Sequence, residues 1–176
     1  MATFENELQL TGTETRQDIF ATVEKYLGSL GLAVANVDSQ RPWGGFFVID
    51  ETETSDFIGH YFPDLPQSTI EKGGKLSPKI LLVEPGKRLS WQYHDRREEL
   101  WKILSGPVGV ITSSDDQQGP VTELAAGETI QFGTGVRHRL VGLDSWGVIA
   151  EIWQHTDPNN PSNEDDIVRV EDDFGR

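Results

Sequence analysis

The chain has no cysteine among its 176 residues. That absence excludes disulfides, thiol nucleophiles and Cys-ligated zinc or iron–sulfur centres, and it leaves the redox compartment open. Positive charge is scarce: 15 Lys and Arg stand against 29 Asp and Glu, for a formal net charge of -14 and a pI near 4.5. A surface that negative repels phosphate backbones and anionic lipid heads, so neither nucleic acid nor a membrane is expected as a partner. No apolar run approaches the roughly 20 residues that span a bilayer. The opening residues, Met1-Ala2-Thr3-Phe4-Glu5-Asn6-Glu7, show neither the basic region nor the apolar stretch of a secretory signal. A cytoplasmic protein is the expectation.

What is present is a globular composition, 36% hydrophobic and 25% charged, of a size for one domain. Between Thr15 and Leu30 the apolar residues Ile19, Phe20, Val23, Tyr26, Leu27 and Leu30 recur at helical spacing. Thr13 or Thr15 supplies a cap, and Gly28 and Gly31 supply stops. The exposed apolar face of this helix suggests packing on the outside of a barrel or at a subunit contact, and a homodimer is expected. After Trp43 the pattern changes to short apolar stretches: 45–50, 79–84, 89–94, 100–104, 108–112, 129–132, 138–141 and 147–154. Turn residues separate most of them, and many of the 18 glycines and 9 prolines fall there. Strands at this spacing read as an antiparallel, all-β sandwich or barrel. The segment 51–75 fits no strand. It is expected to hold a short helix over 55–62, capped by Ser55, in an excursion over one mouth of the barrel where a lid could sit. The acidic tail from Asn163 to Arg176 is expected to dock through Ile167, Val168, Val170 and Phe174.

Only four histidines occur: His60, His94, His138 and His155. Gln92 and His94 lie two apart on a candidate strand, so both side chains project to one face. Glu99 follows across a short charged turn at the start of the next strand, and His138 arrives after a glycine-punctuated run. In a barrel these four can converge inside. Burying such polar groups without partners costs roughly 1–3 kcal/mol each, and a divalent metal satisfies all of them at once. Nitrogen and oxygen donors without sulfur suit zinc first, with manganese, iron, cobalt or nickel as alternatives. His60 and His155 fall outside the pattern and are expected to be structural or exposed.

These residues carry a resemblance. The run Pro85-Gly86-x-x-Leu89-Ser90-x-Gln92-x-His94-x-x-Arg97-x-Glu99-x-Trp101-x-x-x-Ser105-Gly106 is similar to the first metal motif of the cupin superfamily, and Gly127-Glu128-x5-Gly133-x-Gly135-x-x-His138 to the second. With Arg41-Pro42-Trp43-Gly44, Glu151-x-x-Gln154 and the tail Glu164-Asp165-Asp166-Ile167-Val168-Arg169-x-Glu171-Asp172-Asp173-x-Gly175-Arg176, the chain resembles the type II mannose-6-phosphate isomerase domain. Asp95, Arg96 and Leu100 stand where members of that family carry histidines.

The resemblance implies a double-stranded β-helix, the jelly-roll barrel of cupins, over residues 41–176 with a docked tail, preceded by a helical extension over 1–40. It implies one divalent metal ion on Gln92, His94, Glu99 and His138. The implied reaction is aldose–ketose isomerisation of a phosphorylated sugar, mannose 6-phosphate-like or another, with the metal as Lewis acid on an enediolate. An anionic sugar phosphate approaching so acidic a chain needs a local cationic pocket, and Lys79, Arg41 and Arg176 lie in the matched motifs with Arg97. Glu151, on the last barrel strand, is the choice for the proton-transferring base, with Arg97 beside it in the catalytic set. Two other classes stay open: a non-catalytic metal- or sugar-binding cupin module, and a different metal-dependent cupin enzyme.

Overall fold

Thr15 caps the first helix. In this computed structural model, which describes residues 10–66, 68 and 75–176, its side chain accepts from the Asp18 backbone amide while the Asp18 side chain accepts from the Thr15 amide. The reciprocal pair satisfies two N–H groups that a helix start leaves unpaired. The helix, α1 (Arg16–Ser29), buries Ile19, Phe20, Val23, Tyr26 and Leu27, the face read from the sequence. Gly31 follows at φ +74°, a conformation that glycine adopts without a Cβ clash.

Among the described residues eleven strands follow: β1 (Val34–Arg41), β2 (Gly44–Ile49), β3 (Lys79–Val83), β4 (Trp91–Tyr93), β5 (Arg97–Ser105), β6 (Val108–Ser113), β7 (Thr122–Leu124), β8 (Thr129–Phe132), β9 (Arg137–Val141), β10 (Gly147–His155) and β11 (Val168–Glu171). A second helix, α2 (Thr54–Tyr61), lies between β2 and β3. The strands form two antiparallel sheets in the orders β1-β2-β3-β10-β5-β8 and β11-β4-β9-β6-β7. This is the all-β jelly roll of the cupin fold, with a helix at its N-terminal side.

Alternation along the strands divides the core into two layers. Leu81, Val83, Trp101, Ile103 and Ile149 of the six-stranded sheet point inward against Val108, Val110 and Leu140 of the five-stranded sheet. Their even-numbered neighbours Ile80, Leu82, Val148, Ala150 and Ile152 point outward, under α1 and α2. β10 is buried along its whole length because both of its faces are covered. At one end of the barrel the inward rows turn polar. Lys79 continues the row of Leu81, Glu151 and Trp153 that of Ile149, and Glu99 and Arg97 that of Trp101. Register brings them together, since Glu151 pairs with Lys79 and Trp101, and Trp153 pairs with Glu99.

Several expectations differ from what is observed. The sheet begins at Val34, inside the stretch read as an N-terminal extension. β5 starts at Arg97 rather than Leu100, so Glu99 sits within a strand and the preceding turn shrinks to Asp95–Arg96. Ser55 does not cap α2: Glu53 occupies that position without a side-chain bond, after a 3-10 turn (Glu51–Glu53) that Asp50 caps. Phe57, Ile58, Tyr61 and Phe62 pack into the outer layer with α1, while residues 67 and 69–74 lie outside the described part. The tail docks, but not through the valines: Val168 and Val170 are exposed. β11 pairs with β4, and Arg88 and Arg139 hold Asp173 and Glu171. The apolar face of α1 lies against its own sheet and is not available as a dimer surface.

Candidate metal centre

His94 lies just after β4, His138 on β9 and Glu99 on β5, so the five-stranded sheet presents two imidazoles to one carboxylate of the six-stranded sheet. His94 Nε2 is 2.9 Å from Glu99 Oε1, and His138 Nε2 is 3.2 Å from Glu99 Oε2. All three residues are buried, and their ligand atoms lie within 4.8 Å of one another. Each ring is oriented from behind. Nδ1 of His94 lies 2.6 Å from the Asp166 carbonyl, and Nδ1 of His138 lies 3.0 Å from the Val136 carbonyl. A carbonyl only accepts, so both Nδ1 atoms carry a proton, which leaves Nε2 of each ring as the atom that faces Glu99 and can take a metal, the arrangement that metal-bound histidines adopt. The His138 ring is stacked on Phe132 at 4.4 Å and 13°, with the edge of Trp101 against it at 5.6 Å.

The hydrogen-bond inventory points the same way. Among the described residues, Glu99 Oε2 and His138 Nε2 have no hydrogen-bond partner although both are buried. A cation between them, whether a proton or a metal ion, satisfies both atoms at once. The His/Glu set therefore fits a divalent metal ion. Burial works to raise the Glu99 carboxyl, but the adjacent His94 and His138 outweigh it and hold it well below the usual carboxylate range. Arg97 grips the same carboxylate, with Nε and Nη2 each 3.0 Å from Oε1.

The centre opens into a cavity of about 140 Å³. Arg41, Lys79, Arg97, Arg169 and Arg176 line it beside Glu99, Glu151 and Glu164, a concentration of cationic side chains in a chain of net charge -14. Most of these cations are already engaged. Lys79 Nζ is 2.7 Å from Glu164 and stands 4.5 Å from the Trp153 ring centroid. Arg97 lies 3.7 Å over the same ring. Arg41 faces Asp38 at 2.8 Å, and Arg176 is held by Asp172. Glu151 accepts from the indole N–H groups of Trp101 and Trp153 at 2.8 and 3.1 Å. Burial, reinforced by the charge of Glu99, pushes its carboxyl up to about 7 against the opposing pull of Lys79 and Arg97.

All nine residues singled out from the sequence meet at this end of the barrel. Gln92 pairs across the sheet with His138 and lines the cavity, with the Ser90 hydroxyl bonded to its Oε1. Arg97 serves Glu99 rather than facing the cavity with free donors. His155 is structural, accepting from the Ser162 amide and bonded to the Lys75 carbonyl, and His60 is exposed. Sequence reasoning did not single out Trp101 and Trp153, which hold Glu151, or Ser162 and Asp166, which hold Arg97 and His94. The odd-numbered parity shared by residues 97, 99, 101, 151 and 153 was the available signal for the tryptophans. The tail residues had none, because no local pattern says where an acidic tail folds back.

Two facing antiparallel sheets enclosing a His/Glu cluster at one polar end define a cupin-fold protein with a candidate metal centre. The chain belongs to the family described as mannose-6-phosphate isomerase C-terminal, whose model matches residues 58–172. It is 31% identical over 125 residues to the alginate biosynthesis protein AlgA of Pseudomonas aeruginosa, covering 71% of this chain and 24% of that protein. To the xanthan biosynthesis protein XanB of Xanthomonas campestris pv. campestris it is 33% identical over 136 residues, covering 77% and 23%. A mannose-1-phosphate guanylyltransferase of Salmonella montevideo is 27% identical over 168 residues, covering 95% and 30%. The chain thus spans roughly a quarter to a third of the length of these relatives. In fold it is similar to the capsular polysaccharide assembling protein CapF from Staphylococcus aureus, with a TM-score of 0.52 and 17% identity, covering 88% of this chain and 37% of that one. KdgF from Halomonas sp. gives 0.50 and 12%, covering 74% and 91%. Among the described residues no helix is long and apolar enough to cross a membrane.

Proposed function

We propose that this protein is a metal-dependent aldose–ketose isomerase acting on a phosphorylated sugar. One observation carries the proposal: the His94–Glu99–His138 cluster and the indole-held carboxylate of Glu151 meet at a cavity lined by five Lys and Arg side chains. Family membership supports it, as do the names of the relatives, alginate and xanthan biosynthesis proteins and a mannose-1-phosphate guanylyltransferase.

His94, Glu99 and His138 would hold the ion, with Gln92 as a further donor if its oxygen leaves Ser90; two imidazoles and one carboxylate make zinc the first choice. Bound there, a divalent cation supplies Lewis acidity that offsets the negative charge an aldose–ketose rearrangement builds on the sugar oxygens. Glu151 takes the proton from the carbon beside the carbonyl and returns it to the neighbouring carbon. A carboxyl poised near 7 suits both halves of that transfer. Arg97 holds Glu99 in place and contributes positive charge. Lys79, Arg41 and Arg176 receive the phosphate, exchanging their present carboxylate partners for it. The proposal keeps the cytoplasmic location and the homodimer expected from the sequence, with the dimer contact made elsewhere than on the α1 face, which is buried against its own sheet.

The test is a panel of hexose and heptose phosphates on metal-reconstituted protein. Chelator-sensitive interconversion of an aldose and a ketose phosphate is the expected result. No turnover with any of several metals overturns the isomerase and leaves a sugar-binding cupin module. Oxygen-dependent turnover would instead point to another cupin chemistry.

A further inference from the structure

The C-terminal segment crosses the barrel end behind the metal cluster, and its contacts there are too specific for a passive strap. The Asp166 carbonyl takes His94 Nδ1 at 2.6 Å. The Asp166 carboxylate accepts the backbone amides of Asp95 and Arg96 at 3.0 Å each, fixing the turn that separates His94 from Glu99. Ser162 donates to that carboxylate at 2.6 Å and accepts from Arg97 Nη1 at 3.1 Å. Arg97 also donates to the Asn163 carbonyl at 3.0 Å, while its Nε holds Glu99. The Ser162 amide is anchored on buried His155 at 2.9 Å. Residues 162–166 therefore reach two of the three ligand candidates, His94 directly and Glu99 through Arg97. Asp166 and Ser162 are themselves buried, unlike most of the tail around them.

We propose that Asp166 is a positioning residue for the metal centre, and that docking of the 162–166 segment assembles the site: metal affinity and tail docking are one coupled equilibrium. A carbonyl acceptor behind a histidine fixes its tautomer and ring angle, and loss of such a partner lowers metal affinity about 10- to 100-fold. Coupling is reciprocal, so metal that binds better to the docked state must stabilise docking. This rests on the metal reading of the site and not on isomerase activity.

Cobalt(II) titration of the full chain, followed by its visible absorption, tests both directions. Asp166→Ala keeps the carbonyl but removes the carboxylate that clamps it in place through the Asp95 and Arg96 amides and Ser162, so cobalt binding is expected to weaken about 10- to 100-fold and the band shape to change, while the metal-free protein still melts cooperatively. Asp165→Asn, on the exposed neighbour, is expected to change neither affinity nor spectrum. In the wild-type protein, cobalt is expected to slow proteolytic cleavage within 156–166, a readout that survives even if Asp166→Ala fails to fold. Unchanged affinity and spectrum in Asp166→Ala, or equal cleavage rates with and without cobalt, overturns the inference and leaves the metal centre standing. Wild-type protein that takes up no cobalt overturns both.

Discussion

Glu99 Oε2 and His138 Nε2 face each other 3.2 Å apart across the two sheets, and among the described residues neither makes a hydrogen bond. The other half of the same carboxylate is crowded: Oε1 meets His94 at 2.9 Å and Arg97 at 3.0 Å. A fold that left this arrangement without function would carry an unsatisfied buried pair costing about 1–3 kcal/mol per group. A hydrophobic pair at the same register would be cheaper.

That pairing gives the first prediction. The protein takes up one divalent metal per chain, measured by elemental analysis of untagged material. Free metal at 100 times its Kd should stabilise the fold by about 2.7 kcal/mol in denaturant unfolding. His138→Ala and Glu99→Gln should abolish that shift. Wild-type protein with no bound metal and no shift would falsify the centre.

Arg97 leads to a second. Its guanidinium is the permanently charged partner of buried Glu99, so Arg97→Met strips the carboxylate of that partner and leaves it only the two histidines in the metal-free state. Breaking a buried pair from one side costs about 3–5 kcal/mol. A metal ion supplies the missing charge, so urea unfolding should show the variant much closer to wild type with metal than without. An equal deficit in both states would mean that Arg97 matters through its packing on Trp153 and its bonds to the tail rather than through its charge on Glu99.

Much of this architecture was legible before any coordinates. The strands that bury side chains were read close to their observed positions, because two-residue alternation survives wherever one face meets a core. The three strands that were not read, β1, β7 and β11, are all sheet edges. Most of their residues are exposed, all four in β11, so little hydrophobic pattern marks them. Gln92, His94, Glu99 and His138 were legible because polar residues at inward positions are conspicuous. Asp166 was not, since it acts through a backbone carbonyl, which any residue possesses, and through a carboxylate whose partners depend on where the tail folds back. In the described part of 51–75 the apolar residues of α2 pack on the outer face of the six-stranded sheet, a choice the sequence pattern alone does not mark.

Glu151 separates chemistry from binding. Glu151→Gln removes the ionisable group while keeping an oxygen for one indole N–H. Metal uptake should be unchanged and isomerase turnover should fall about 100-fold or more. Unchanged turnover would move the proton-transferring role to another group and reduce Glu151 to a brace for Trp101 and Trp153.

Tight packing of the hairpin beneath α1 predicts a large effect from one methyl group. A Cβ at Gly45 would lie 2.0 Å from the Asp38 carbonyl oxygen and 2.7 Å from Phe20. Backbone cannot yield as a flexible side chain does, so β1 must move off β2. Gly45→Ala should cost about 3 kcal/mol or more in urea unfolding, at the upper end for overpacking. A neutral result would mean that the edge strand shifts freely.

The tail should release in acid. Arg176, bonded to Asp172, pulls that carboxyl down from 3.8 to about 2, and Arg88 likewise lowers Asp173. In the unfolded chain both return to ordinary values, so between about pH 4 and pH 2 the unfolded state binds more protons than the folded one. Their contribution is therefore complete above pH 4 and is lost as the pH falls toward 2. Acid unfolding followed by circular dichroism should be steeper over that window for wild type than for Asp172→Asn, and the variant should be the less stable protein at pH 7. Parallel curves for the two would mean that the Arg176 contact does not hold the end of the chain in solution.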